Sequence, residues 1–152
     1  MTLCAGCDYG YGDFVLKFVG NAEKILDYVR DHSIILKTVN CSNCGSECRI
    51  DYRRKDFRCD KSCAKGHKKK RRCAFSRTIF KGTWFDKSKL DVETNLRFCN
   101  LFLRKGFSYE QIRNELKISD NSINDWSSFC REVLISWCMR NSELIGGPGK
   151  TV

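Results

Sequence analysis

Cysteine is the residue type whose spacing carries the most chemistry in this sequence. Cys41-Ser-Asn-Cys44-Gly45 has the spacing of a zinc knuckle, in which two thiolates hold one metal and the glycine permits a tight turn of positive φ. A basic, aromatic-bearing segment follows and ends at Cys59. Three residues beyond it are candidates for the remaining ligand: Cys63, His67 and Cys73. Cys59 and Cys63 are separated by three residues, a permitted local spacing, whereas pairing Cys59 with Cys73 requires DKSCAKGHKKKRR to loop out. Cys48 stands too close to Cys44 to complete the knuckle easily. Four ligands on one structural Zn2+ ion would do the work of a core that so polar a segment cannot build.

The other cysteines read differently. Cys4 and Cys7 form a second Cys-x2-Cys, with no partner pair nearby and no βαβ pattern to suggest redox work. Cys99, Cys130 and Cys138 fall among apolar positions and read as small core residues. The N-terminus has no basic n-region, and no stretch reaches the roughly 18 apolar residues needed to span a bilayer. Eleven cysteines without a secretory signal then lead to the expectation of an intracellular protein with reduced thiols.

Positive charge is concentrated on the same segment. Between Gly45 and Lys81 fourteen Lys and Arg residues stand against four carboxylates, which accounts for the whole net charge of +10. A localised field of this kind favours a polyanion, most often nucleic acid; a solvated face is the plain alternative. The candidate phosphate contacts are Arg53, Arg54, Lys55, Arg58, Lys68, Lys69, Lys70, Arg71, Arg72 and Arg77. Lys68 to Arg72 also fits a nuclear localisation signal. No catalytic residues are assigned: aspartates such as Asp51, Asp86 and Asp125 are scattered, with no sheet to gather them around two metals. Gly149-Lys150-Thr151 fails as a phosphate-binding loop because Leu144 stands where the first glycine is required.

The elements that must position these residues are read from periodicity and caps. Residues 1 to 20 show no clear period. Asn21 caps a helix running to His32 with Ala22, Ile25, Leu26 and Val29 on one face. Ile34 to Val39 reads as a first strand, Arg49 to Arg58 as a strand pair, and Cys73 to Phe85 as an alternating strand. Ser88-Lys-Leu-Asp91 reads as a capping box opening a helix with Val92, Leu96, Cys99 and Leu103 on its apolar face, stopped at Lys105-Gly106. Ser108-Tyr-Glu-Gln111 opens a short helix carrying Ile112 and Leu116. Asp120 starts a longer one with Ile123, Trp126, Cys130, Val133 and Trp137. Three helices with a tight turn before the last make the pattern of a helix-turn-helix, whose third helix would offer Asn121, Ser122, Asn124, Asp125, Ser128 and Arg131 to a major groove or its phosphates. The expected class is α+β: a small zinc ribbon of short antiparallel strands, one helix before it and a helix-turn-helix module after it. The expected divisions are 1–37, 38–85, 86–141 and a flexible tail, 142–152.

Taken together, the cysteine knuckle, the basic ribbon, Arg77-Thr-Ile-Phe-Lys-Gly-Thr-Trp-Phe85, the Ser88-Lys-Leu start and Ile145-Gly-Gly-Pro-Gly-Lys-Thr-Val152 resemble the N-terminal half of Merlin transposases and their bacterial insertion-sequence relatives. The resemblance covers about residues 21 to 152. It implies a zinc ribbon and helical module that bind double-stranded DNA at transposon terminal inverted repeats. In the family a ribonuclease-H-like catalytic domain begins just after the Gly-Pro-Gly-Lys motif. This sequence ends before its first aspartate, so what is implied is DNA binding without the nuclease, not an enzyme by itself. The family's last ribbon cysteine sits shortly before the Gly-Thr-Trp-Phe motif, which implies the ligand set Cys41, Cys44, Cys59 and Cys73. The expected partners are DNA, a second copy of the chain or a catalytic subunit acting in trans. The rival readings are a protein–protein adaptor and an RNA binder stacking bases on Tyr52, Phe57 or Phe75.

Overall fold

In a computed structural model that describes residues 9–63, 71–104 and 107–142, the chain begins with two helices, α1 (Tyr11–Phe18) and α2 (Ala22–Asp31). The first occupies a stretch that reads as aperiodic. It buries only Phe14 and Phe18, too few positions to reveal a period, and its cap lacks the usual hydroxyl: the Gly10 amide donates to the Asp13 carboxylate at 3.2 Å. Gly20, at φ 78, makes the turn between the helices. The second helix starts as expected, with Asn21 Oδ1 accepting from the Lys24 amide at 3.0 Å. Ile25, Leu26 and Val29 are buried, and the Tyr28 ring meets Phe14 and Phe18 at centroid distances of 6.0 and 4.9 Å.

Six short strands follow: β1 (Val39–Asn40), β2 (Glu47–Asp51), β3 (Asp56–Arg58), β4 (Ser62–Cys63), β5 (Arg71–Arg72) and β6 (Ser76–Thr78). An antiparallel four-stranded sheet has the order β1-β2-β3-β6, and β4 pairs separately with β5. Phe57, 1% exposed, anchors the sheet in the core together with Ile79 and Phe85. Tyr52 ties the β2–β3 turn to α2: its hydroxyl donates to Asp27 at 2.9 Å and accepts from Arg30 at 2.8 Å. Phe57 is therefore closed to any base, and Tyr52 is already engaged by two charged groups.

Two strand expectations shrink. Ile34 to Val39 is mostly bends, with Ile35 buried as a core residue and only Val39 in β1. The alternation from Cys73 to Phe85 yields a strand only over Ser76–Thr78. Side-chain bonding explains the break: Thr83 Oγ donates to the Phe80 carbonyl at 2.6 Å and accepts from the Phe85 amide at 3.2 Å, while Gly82 turns at φ 76.

The chain divides by internal packing into Met1–Asn95 and Leu96–Val152, a boundary that falls within α3 (Val92–Leu103). The start of α3 differs from the expected capping box. Asp91 is the residue that caps it, accepting from the Thr94 amide at 2.6 Å, while Ser88 is committed to a local turn with Leu90. The buried stripe of α3 is also rotated. Val92, Asn95, Phe98 and Leu101 are buried, whereas Leu103 is 61% exposed and Cys99 half-buried. A polar residue in the middle of the stripe conceals it from a count of apolar positions; Asn95 is held there by its amide donating to Ser88 Oγ at 3.2 Å.

Beyond α3 lie α4 (Tyr109–Leu116) and α5 (Asp120–Asn141), joined by three residues. The Ser108 capping box is present in full: Gln111 N–H to Ser108 Oγ at 3.2 Å and Ser108 N–H to Gln111 Oε1 at 2.7 Å. Ser119 caps α5 through the Ser122 amide, and Asp120 accepts from Arg113 at 3.2 Å. Ile112, Leu116, Ile123, Trp126 and Cys130 are buried, with Phe98 and Trp126 at 6.5 Å. The apolar face of α5 does not stay inside to its end: Val133 and Trp137 are 57% and 64% exposed, and Cys138 is exposed. The expectations placed on Cys4, Cys7, His67, Lys68, Lys69, Lys70, the Lys105-Gly106 stop and the tail from residue 143 lie outside the described residues.

Lys117 terminates α4 in the left-handed region, φ 53 and ψ 42, where a β-carbon is unfavourable. Lys117→Gly is expected to stabilise the protein by about 0.5 kcal/mol, relief of strain outweighing the added freedom of the unfolded chain. Urea unfolding followed by circular dichroism measures it.

Candidate metal centre and its basic surroundings

Two turns bring the four thiols together. The first is the knuckle after β1: the Gly45 amide donates to the Cys41 carbonyl at 2.8 Å, the Cys41 amide to Ser46 at 2.8 Å, and Gly45 adopts φ 68. The Asn43 amide points at Cys41 Sγ from 3.4 Å. The second is assembled from the end of β3 and the entry to β6. The Cys59 amide bonds to the Phe75 carbonyl at 3.3 Å and the Cys73 amide to the Lys61 carbonyl at 2.8 Å, so the two cysteines face the same space although 13 residues lie between them.

Cys41 and Cys73 Sγ atoms are 3.4 Å apart, Cys44 and Cys59 are 3.5 Å apart, and all four sulfurs lie within 4.8 Å of one another. Four sulfurs each about 2.3 Å from a tetrahedral metal would stand about 3.8 Å apart, so this set is a ready donor cage for one metal ion. Among the described residues it is the one group of three or more Cys, His, Asp or Glu side chains that could hold a metal. Cys73 is therefore the cysteine that the fold brings to the other three, while the Cys63 side chain and His67 lie outside what is described. Cys48 is 3% exposed, and its thiol faces the Ser46 carbonyl at 3.8 Å; burial and the neighbouring sulfurs push it up, which keeps it a neutral thiol beside the cage.

The cage distributes protons unevenly. Hydrogen bonds from the Ser46 side chain and backbone draw the Cys44 thiol down from 9.0 to about 6. A backbone hydrogen bond from Phe75, followed by the Cys41 thiol, lowers Cys73. Cys59 receives a lowering backbone bond from Lys61, yet burial and the thiols of Cys44, Cys41 and Cys73 together push it up to about 12. Without a metal the site thus carries thiolate on Cys44 and thiol on Cys59, and a divalent cation must displace protons to bind.

The segment between Cys59 and Cys73 does loop out, as a hairpin in which Ser62 pairs with Arg72 and Cys63 with Arg71. Its base is pinned at the cage. The remaining candidate cations are divided. Arg53, Arg54 and Lys55 occupy the β2–β3 turn at the far end of β3 from Cys59, about 10 Å away by strand rise. Arg53 and Arg54 are exposed, although the Arg54 guanidinium comes within 4.0 Å of Asp51. Lys55 is half-buried at φ 56, and Arg77 is half-buried across from Phe57.

Arg58 shows what a count of charges conceals. In the register of β2 and β3, Arg49 stands opposite Arg58 and Asp51 opposite Asp56. Like charges face each other directly, an arginine row beside an aspartate row, so the charges on this sheet face form bands that cancel, not a positive strip. Arg49 is one of the fourteen cations counted along the sequence, but that it stands opposite Arg58 is set by register. The excess positive charge of the ribbon consequently resides at its turn and on the insert.

On α5, Asn121, Asn124, Asp125, Ser128 and Arg131 are exposed, and Ser122 is half-buried with its hydroxyl 3.0 Å from that of Ser119. Arg131 is held on its own unit by the Tyr109 hydroxyl at 3.5 Å and the Phe102 ring at 5.9 Å. Asp51 and Asp86 are each bonded to a nearby backbone amide, of Arg54 and Gly82. No helix of the described residues is long and apolar enough to cross a membrane. No protein-family model matches the chain, and no curated protein or solved structure matches it.

The cage predicts one bound metal ion per chain, lost in Cys73→Ser and kept in Cys48→Ala, by elemental analysis of the purified variants. Affinity should rise with pH, and more steeply below about 6, where the metal must displace a proton from Cys44 as well as from Cys59. A pH titration of metal affinity checks the sign; binding that strengthens as pH falls would contradict it.

Proposed function

We propose that this chain is a DNA-binding module in which a structural Zn2+ ion, held by Cys41, Cys44, Cys59 and Cys73, supports a basic ribbon that grips phosphates, while α5 serves as the third helix of a helix-turn-helix. The observation that carries this reading is the placement of charge: the entire net excess falls within Gly45 to Lys81, nearly all of it on the turn and on the insert whose base the cage pins. A four-sulfur donor set suits zinc, and zinc in a closed four-ligand site is structural.

The base-reading role rests on the first turns of α5, where Asn121 and Asn124 are exposed beside a short interhelical turn. Asparagine is suited to the paired donor and acceptor of adenine in the major groove. The motif resemblance to Merlin transposases supports terminal inverted repeats as the target class, with strand cleavage supplied by a catalytic subunit in trans and the protein acting in the nucleus of a eukaryotic host. By itself the chain is not an enzyme in this reading. Its described carboxylates form no cluster that could hold two metal ions.

Fluorescence anisotropy with duplex DNA over a range of salt tests the proposal. If about six phosphates are neutralised, log K should fall against log salt with a slope of about −5. A flat response refutes phosphate gripping. Arg53→Ala with Arg54→Ala should weaken all duplexes alike and reduce the slope by about 2, whereas Asn124→Ala should cost about 1–3 kcal/mol on the preferred sequence selected from a random pool. Removing zinc with a chelator should unfold the ribbon and abolish binding; full retention of structure in the metal-free protein would refute the structural role.

A further inference from the structure

The cage takes up four thiols of the N-terminal unit, and a second meeting of sulfurs lies within the helical unit. Two contacts fix how α3 and α5 pass each other: the Phe98 and Trp126 rings stand 6.5 Å apart, and the Arg131 guanidinium lies 5.9 Å from the Phe102 ring. Cys99 follows Phe98 and shares a helix face with Phe102; Cys130 is one turn beyond Trp126 and precedes Arg131. The two contacts therefore bracket the cysteines, and the side chains meet between them, Cys99 hydrogen-bonding to Cys130. Both are free thiols, Cys130 6% exposed and Cys99 half-buried. Among the described residues no third donor joins them to make a metal site.

Their surroundings give the two thiols different roles. The hydrogen bond with Cys99 draws Cys130 down against the cost of its burial, with help from the charge of Arg131. The same bond, followed by burial, pushes Cys99 up. Cys130 is thus the nucleophile and Cys99 the thiol that resolves it. We propose that Cys99 and Cys130 are a dithiol switch, which hydrogen peroxide closes to a disulfide that staples α3 to α5. In the first step the Cys130 sulfur attacks one peroxide oxygen and the O–O bond breaks; Cys130 becomes a sulfenic acid, and the other oxygen leaves as water with the thiol proton. In the second the Cys99 sulfur attacks the sulfenic sulfur, and the hydroxyl leaves as water with the Cys99 proton. The two thiols give up two electrons to one peroxide, and two waters form. The unit Leu96–Val152 is small for a core of its own, so closing the chain between Cys99 and Cys130 restrains its opening strongly.

Treating the full chain with hydrogen peroxide under native conditions, blocking the remaining thiols and digesting with trypsin reads the linkage directly. The expected product joins the peptides Phe98–Arg104 and Ile118–Arg131, and dithiothreitol separates them. Because the digest identifies the bond, oxidation of the cage thiols does not obscure it. In the linked protein, hydrogen exchange of the amides around Cys130 should slow by about 10-fold or more relative to the reduced protein. Cys99→Ser should leave Cys130 as a sulfenic acid that dimedone captures, whereas Cys130→Ser should leave Cys99 unlabelled. No linkage between these two peptides while circular dichroism shows the helices intact, or a linkage that leaves hydrogen exchange unchanged, overturns the proposal whether or not the variants fold. Dimedone on Cys99 in folded Cys130→Ser, with none on Cys130 in folded Cys99→Ser, overturns the assignment of nucleophile.

Discussion

Four sulfurs within 4.8 Å of one another join the two ends of the ribbon, and the rest of the N-terminal unit depends on that closure. The sheet has strands of two, five, three and three residues, far short of what holds a sheet together by ladder bonds alone. Its apolar anchor is small: Phe57, Ile79 and the buried Cys41, Cys48 and Cys59. Thiols crowded so closely repel once ionised, and burial raises the cost of charge on Cys59. The same crowding that is unfavourable for four thiolates alone becomes the driving force for taking up a cation. Protonation of the cage is therefore coupled to folding in this part of the chain, and a metal held there would enter the same equilibrium.

The parts of the fold legible in the sequence are those governed by local chemistry. The Cys-x2-Cys turn, the Asn21 cap and the Ser108–Gln111 box each involve groups three or four residues apart, and each forms. What the sequence conceals is decided by competition or by distant partners. Asp91 displaces Ser88 as the cap of α3 because the serine is taken by Leu90 and Asn95. Asn95 in turn hides the buried stripe of its helix, and Thr83 diverts the backbone that would have continued β6. The banding of charge follows from the register of β2 against β3, which no run of charges along the chain reveals. Cys73 illustrates both sides: spacing alone leaves it one of three candidates, and only the fold of the insert brings it to the cage.

The two helices at the ends of the described chain differ in what holds them. In α1 only Phe14 and Phe18 are buried, yet aromatic contacts with α2 suffice to fix it. In α5 the first three turns are anchored through Ile123, Trp126 and Cys130, and the last turns extend past their own core. Periodicity reads such a helix as continuously amphipathic, because it registers residue types and not whether a neighbour is present.

The insert between Cys59 and Cys73 leaves and returns at a point fixed by the cage, its base closed by the Cys73 amide on the Lys61 carbonyl. For a segment with pinned ends, doubling its length costs only about 0.6 kcal/mol of closure entropy. The protein can therefore gain or lose residues there with little effect on the architecture around it. This makes the insert an interchangeable cassette, one in which reach and charge can be varied in evolution or by design while the sheet, the helices and the ligand geometry stay as they are.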